Sequence, residues 1–232
     1  MRLGILTYDT QHLKTEQVVS GLQIAGSYEY VFYALPFISR PGRDVALAHR
    51  PVQSNGGHAR EIAASVDAPY TVIESADDIH DESIDFWIIA GSNLLPAGFV
   101  GRYRNKIING HAGLIPSVRG LDSFKWAILD GQPVGNTLHF IDEEADAGEV
   151  IASQLTPIYS TDTLAEFARR HYEIEIAMLS NFERLVSEKP RVKIDLPLRP
   201  ARMRMKREIE EQMIDSFEAY RDRFAGAAAA EA

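Results

Sequence analysis

Apolar and polar positions along the chain alternate between two periods. Residues 3–7 are an almost unbroken apolar run, which predicts a strand of a parallel sheet covered on both faces. Residues 11–26 change to helical spacing through Leu13, Val18, Leu22 and Ile24, with Gly21 and Gly26 loosening the end. Residues 30–35 and 70–73 are β-branched and aromatic and predict two more strands, with a helix over 58–66 between them. Residues 39–57 hold Pro41, Gly42, Pro51, Asn55, Gly56 and Gly57 and read as a long, mobile loop. The strongest buried-strand signal is 86–90, which runs into Gly91-Ser92-Asn93.

The second half continues the alternation. Residues 107–109 predict a short strand and 123–129 a helix that stops at Asp130-Gly131-Gln132-Pro133. Residues 136–141 alternate like a strand, and 149–154 read as its antiparallel neighbour. Over 163–187, Leu164, Phe167, Tyr172, Ile176, Leu179, Phe182 and Leu185 recur near 3.6 spacing and predict one long amphipathic helix, capped by Thr161 or Asp162. Residues 189–200, with three prolines, read as a connector. Residues 205–224 carry a second helical stripe, Ile209, Met213, Phe217, Tyr220 and Phe224, which either docks on the core or builds a homodimer. Strands alternating with helices predict an α/β fold with a Rossmann-like, mostly parallel sheet flanked by helices. The expected division is a main domain over 1–188 and a linker with a short helical C-terminal extension over 189–232.

Composition narrows the chemistry. The 232 residues contain no cysteine, which rules out disulfide scaffolds, thiolate zinc sites, iron–sulfur clusters and thiol catalysis. Acids outnumber bases 33 to 24, so the formal charge of −9 argues against nucleic acid as a partner. No apolar run approaches the ~20 residues that span a bilayer, and the first residues lack the apolar stretch of a signal peptide. A cytoplasmic protein is the expectation, with no membrane partner.

Acid–base chemistry then falls to His, Asp, Glu and Tyr. His12, His49, His58, His80 and His171 lie on predicted helices or loops without a convincing partner and read as structural or surface groups. His111 differs, because it follows a predicted strand end in Ile107-Ile108-Asn109-Gly110-His111. In open α/β sheets, sites form beyond the C-terminal ends of strands. Asn109 and His111 are two apart and share one side of an extended backbone. An amide donor beside an imidazole suits the holding of an oxyanion. Taken alone, the segment equally suits a satisfied histidine in a turn. Five acids crowd residues 142–149, but their spacing matches no calcium loop, and no metal is expected.

The order of these segments resembles the formyltransferase family, which includes glycinamide ribonucleotide transformylases, methionyl-tRNA formyltransferases and nucleotide-sugar N-formyltransferases. The matching elements are Ile88-Ile89-Ala90-Gly91, Asn109-Gly110-His111 with Leu114-Ile115-Pro116, Arg119-Gly120, Gly135 with Thr137-Leu138-His139-Phe140, and Asp146-Ala147-Gly148-Glu149-Val150-Ile151. The resemblance implies N10-formyltetrahydrofolate as formyl donor and Asn109, His111 and Asp146 as the catalytic trio. It implies a pteridine held by the backbone of Gly91, Ser92, Asn93, Leu94 and Leu95 and of the loop carrying Asp142, Glu143 and Ala145. His139 would support that loop. Ser117, Arg119 and Gly120 would face the acceptor, with Tyr8, His12 and Lys14 beyond the first strand as further candidate contacts.

Two departures shape the expected acceptor. The family commonly has serine two residues after the histidine, where this chain has Gly113. Glycinamide ribonucleotide transformylases carry a glycine-, serine- and asparagine-containing phosphate loop after the first strand. Here Thr7-Tyr8-Asp9-Thr10-Gln11-His12 has no glycine and places an acid there. The remainder after residue 187 is too short for the β-barrel of a tRNA formyltransferase. The expected acceptor is therefore a nucleotide-linked amino sugar. Its phosphates could meet Arg119, Lys14 or the bases Arg199, Arg202, Arg204, Lys206 and Arg207, which otherwise read as a solvated helix start. The alternatives are a transformylase for another small amine, a formyl-folate hydrolase, and a non-catalytic folate- or nucleotide-binding domain.

Overall fold

The computed structural model describes residues 1–38, 42, 44–142, 148–194 and 200–228. Among them, seven strands form one sheet in the order β3-β2-β1-β4-β5-β6-β7. Strands β1 (Arg2–Tyr8), β2 (Glu29–Leu35), β3 (Tyr70–Val72), β4 (Phe86–Ile89) and β5 (Ile107–His111) are parallel. Strands β6 (Gly135–Phe140) and β7 (Val150–Leu155) add on antiparallel, as their alternation predicted. The chain moves outward from β1 to β3 and then returns to place β4 on the other side of β1. That reversal opens a crevice at the C-terminal ends of β1 and β4, where ligands bind in such sheets.

Helices cover both faces. On one side α1 (Leu13–Ala25), α5 (Leu164–Ser180) and α6 (Phe182–Glu188) bury Val18, Leu22, Met178, Leu179 and Phe182 against Leu3, Ile5, Ile88 and Ile108. On the other, Trp87 packs edge-on against Phe99 of α3 (Ala97–Arg102) and against Tyr103. Helix α2 (Ala59–Ser65) precedes β3. The single long helix expected over 163–187 is two. Its N-cap is Thr163, whose hydroxyl and backbone exchange hydrogen bonds with Glu166. Its break is Asn181, whose side-chain amide donates to the Ala177 carbonyl at 2.8 Å and competes with the helical ladder.

The C-terminal helix α7 (Arg207–Ala228) docks on α4 (Ser123–Leu129). Met205, Met213, Phe217 and Tyr220 share one core with Val118, Phe124 and Ile128, so the expected stripe faces inward. A buried ion pair fixes the docking, with Lys125 Nζ 2.7 Å from Glu210 Oε1 and both residues at most 1% exposed. The same two side chains hold residues 46–47, since Glu210 Oε2 accepts the Ala46 N–H at 2.6 Å and Lys125 donates to the Leu47 carbonyl at 2.7 Å. The described part of the loop expected over 39–57 is therefore strapped down rather than loose.

Candidate active site

Strand β5 extends two residues further than its apolar run, because its end pairs with β6 at Asn109↔His139 and His111↔Thr137. Asn109 and His111 therefore stand on one face of the same strand. The His111 ring is buried, with Nε2 3.0 Å from the Val118 carbonyl and 3.4 Å from Ser123 Oγ. A carbonyl only accepts, so Nε2 carries a hydrogen. Ser123 donates to the Gly120 carbonyl at 2.9 Å and turns lone pairs to that same N–H. Chemistry at His111 then falls to Nδ1. Asn109 is half-buried and its Nδ2 lies 3.1 Å from His139 Nε2. Ser123 is a site residue that periodicity alone presented only as a helix start. Its signal was the glycine at 113. A Cβ there would lie 2.7 Å from His111 Nε2 and 2.9 Å from Ser123 Cβ, so a hydroxyl reaches the ring from α4 instead.

The loop between β5 and α4 is held from behind by residues 202–205. Arg202 N–H donates to the Arg119 carbonyl at 3.0 Å, and Leu121 N–H to the Arg202 carbonyl at 2.8 Å. Met205 N–H donates to Asp122 Oδ2 at 3.0 Å. Gly120 has φ +92°, and a Cβ on it would run into the Arg202 backbone. Of the three residues expected to face the acceptor, Ser117 is exposed, Arg119 is buried, and Gly120 meets the C-terminal segment. In the basic cluster, Arg202 lies over the Trp126 ring and pairs with Asp130 at 2.9 Å, and Arg207 pairs with Asp44 and Glu211. Arg204 and Lys206 are exposed, and Arg199 lies outside the described residues.

Across the crevice the expected contacts beyond β1 have protein partners. Tyr8 stands edge-on to His12 and to Phe37. His12 is buried, bonds Thr15 Oγ1 at 2.8 Å, and burial next to Lys14 lowers it to about 4. Lys14 Nζ is 2.7 Å from Glu175 Oε1 and Arg50 Nη2 is 2.6 Å from Glu175 Oε2. Burial alone would raise the Glu175 carboxyl, but Arg50 and Lys14 outweigh it and hold it at about 2. The first turn of α1 is also covered. Gln53 Oε1 accepts the Lys14 N–H at 3.0 Å, Gly57 O accepts the His12 N–H at 3.0 Å, and Glu16 accepts the Gly57 N–H at 2.8 Å. Gly56 lies so close that a Cβ would collide with the Leu13 backbone.

The segment after β4 begins with Gly91, buried, its N–H bonded to the Leu6 carbonyl at 3.0 Å. Ser92 and Leu95 are half-buried and Asn93 is exposed, while Leu94 is 88% exposed. The second expected wall is less complete. Asp142 is half-buried, and Glu143, Ala145 and Asp146 lie outside the described residues. Among the described residues no three His, Asp or Glu converge to hold a metal ion, and no helix is long and apolar enough to cross a membrane.

A family model described as formyl transferase matches residues 59–182. The phosphoribosylglycinamide formyltransferase of Haemophilus influenzae is 33% identical over 101 residues, which are 43% of this chain and 48% of that protein. The chain spans about half the length, or less, of the curated relatives it matches. Among solved structures, the phosphoribosylglycinamide formyltransferase of Anaplasma phagocytophilum superposes with a TM-score of 0.59 at 24% identity, covering 81% of this chain and 87% of that one. The formyltransferase PseJ from Anoxybacillus kamchatkensis, solved with UDP-4,6-dideoxy-4-formamido-L-AltNAc and tetrahydrofolate, gives 0.50 at 18% identity over 91% and 89%. Both structures share the fold described above.

Proposed function

The chain belongs to the formyl transferase family, and we propose that it moves a formyl group from N10-formyltetrahydrofolate to the amino group of a nucleotide-linked amino sugar. The donor supplies an activated formyl carbon, with the segment of Gly91 to Leu95 and the loop beginning at Asp142 as its cradle. The acceptor amine attacks that carbon, a C–N bond forms, and the formyl oxygen gains negative charge. Asn109 Nδ2–H and a His111 Nδ1–H stabilise that charge from the same face of β5. Val118 O and Ser123 Oγ, both acceptors on Nε2–H, keep the ring in place while it does so. Asp146, whose role rests on the family motif, passes the amine proton, directly or through water, to the folate nitrogen as that nitrogen's bond to the formyl carbon breaks.

One observation carries the choice of acceptor. The first turn of α1, where a phosphoribosyl acceptor would seat its phosphate, is closed by Gln53, Gly56 and the Glu16 carboxylate. An anion there would displace protein bonds and meet a like charge. The PseJ neighbour, by its ligands, supports a nucleotide-linked sugar on this fold. The name of the Haemophilus influenzae relative favours the competing reading, phosphoribosylglycinamide. The test supplies formyltetrahydrofolate and measures release of tetrahydrofolate with nucleotide-linked amino sugars, the free sugars, glycinamide ribonucleotide and methionyl-tRNA. The nucleotide-linked sugars should give the highest kcat/KM. Faster turnover with either of the last two would remove the assignment and leave the chemistry standing.

A further inference from the structure

We propose that His139 is a positioning residue that decides which end of the Asn109 amide is offered to the formyl oxygen. His139 is buried on β6, directly opposite Asn109 on β5. Its Nδ1 lies 3.1 Å from the Phe140 carbonyl. That oxygen only accepts, so Nδ1 carries the hydrogen and Nε2 of the neutral ring is a lone pair. The lone pair fixes the amide opposite it. Asn109 must present Nδ2, and it does so at 3.1 Å. Turned by half a rotation, the amide would set Oδ1 against the Nε2 lone pair. An amide nitrogen has two hydrogens; His139 takes one and leaves the other for the oxygen that gains charge.

The strand geometry points the same way. Between the pairs Leu138↔Ala152 and His139↔Val150, β7 carries one extra residue, Ile151. Such a bulge bends the ladder locally and re-aims side chains. It falls at the histidine, whose ring stands edge-on to His111 with centroids 6.4 Å apart. The family motif alone gave His139 the task of supporting the acidic loop. That loop's residues 143–147 lie outside the described residues, and the bonds described here join His139 to the β5 side chain that precedes His111.

The proposal rests on Asn109 serving the formyl oxygen, and two measurements separate it from that reading. The first is kinetic. His139→Leu removes the acceptor and should lower kcat about 10- to 100-fold with the KM for formyltetrahydrofolate unchanged. His139→Gln, which offers an amide oxygen to Asn109, should recover most of the loss. A His139→Leu enzyme with wild-type kcat, or a His139→Gln enzyme no better than His139→Leu, would overturn the proposal. The second needs no turnover and no variant. Nitrogen NMR of the wild-type His139 ring near neutral pH should show a neutral Nδ1–H tautomer with Nε2 as acceptor. An Nε2–H tautomer or a charged ring would overturn the proposal even where catalysis is established. If no acceptor supports release of tetrahydrofolate, the functional reading fails, and the tautomer result still decides the Asn109–His139 geometry.

Discussion

On the β5–β6 side of the crevice, Asn109 bonds His139, and His111 bonds the Val118 carbonyl and Ser123, with no carboxylate among these partners. On the α1 side, Lys14, Arg50 and Glu175 are joined by charge, and the carboxylate is only 1% exposed. The two walls answer different demands. A wall proposed to stabilise a charge that appears during the reaction needs donors aimed beforehand. A wall that must hold the strap of residues 44–57 against α1 and α5 can use strong pairing, provided both carboxylate oxygens are satisfied. Lys14, legible in the sequence as a cation near the site, is thereby a framework residue through Glu175.

The comparison breaks most visibly on the charged wall. Glu175→Ala removes the buried carboxylate and leaves the nearly covered Lys14 facing the partly exposed Arg50, at a cost of ~3–5 kcal/mol. Calorimetry should register a Tm lower by roughly 6–20 °C, since ~1 kcal/mol corresponds to ~2–4 °C at this chain length. The sign of the pH dependence follows from the depressed carboxyl. Its stabilisation is complete above the unfolded value of 4.5 and is lost as pH falls toward about 2. The gap between wild type and Glu175→Ala should therefore be widest above pH 4.5 and close on acidification. A gap that grows in acid would show that the pairing is not the source.

The β5–β6 wall should respond in rate rather than in stability. Asn109→Ala or His111→Ala should each lower kcat about 100-fold, the scale of one lost oxyanion donor at ~2.7–4 kcal/mol, with little change in Tm. Both variants retaining more than a third of wild-type turnover would end the catalytic assignment. The smallest effect sharpens the contrast. Ser123→Ala removes one of two acceptors on His111 Nε2–H, and a net hydrogen bond of ~0.5–1.5 kcal/mol predicts a loss of about 2- to 10-fold in kcat. An unchanged steady-state rate would leave Val118 O as the sole fixing partner that matters among the described contacts.

Periodicity read the strands and most helices well because their apolar faces are local in sequence. The Asn-x-His segment was readable too, since a strand end and a spacing of two are local facts. What escaped is non-local. Glu175 falls beside the apolar stripe of α5 and reads as an exposed acid, yet its partners are 125 and 161 residues away. Lys125 sits in a short helix, and its burial is made tolerable by Glu210, 85 residues on, and by the Leu47 carbonyl, 78 residues back. The break at Asn181 was missed because apolar spacing continues through it, while the competing bond belongs to one side chain. The strap over 44–57 has loop composition, and composition does not tell an anchored loop from a free one.

The closure of the α1 first turn has a historical consequence. Specificity can be lost by deleting the residues that recognise a ligand, and such a loss is reversed by restoring them. Here the space itself is filled, by Gln53 from one segment and by Gly56 against Leu13. Removing the Glu16 carboxylate alone would not reopen it, because the Gln53 side chain and the Gly56 backbone, contributed from elsewhere, still cover the turn. A lineage carrying this strap is held by a ratchet. Seating a phosphate on that helix would require rebuilding a loop before any intermediate gains from the change.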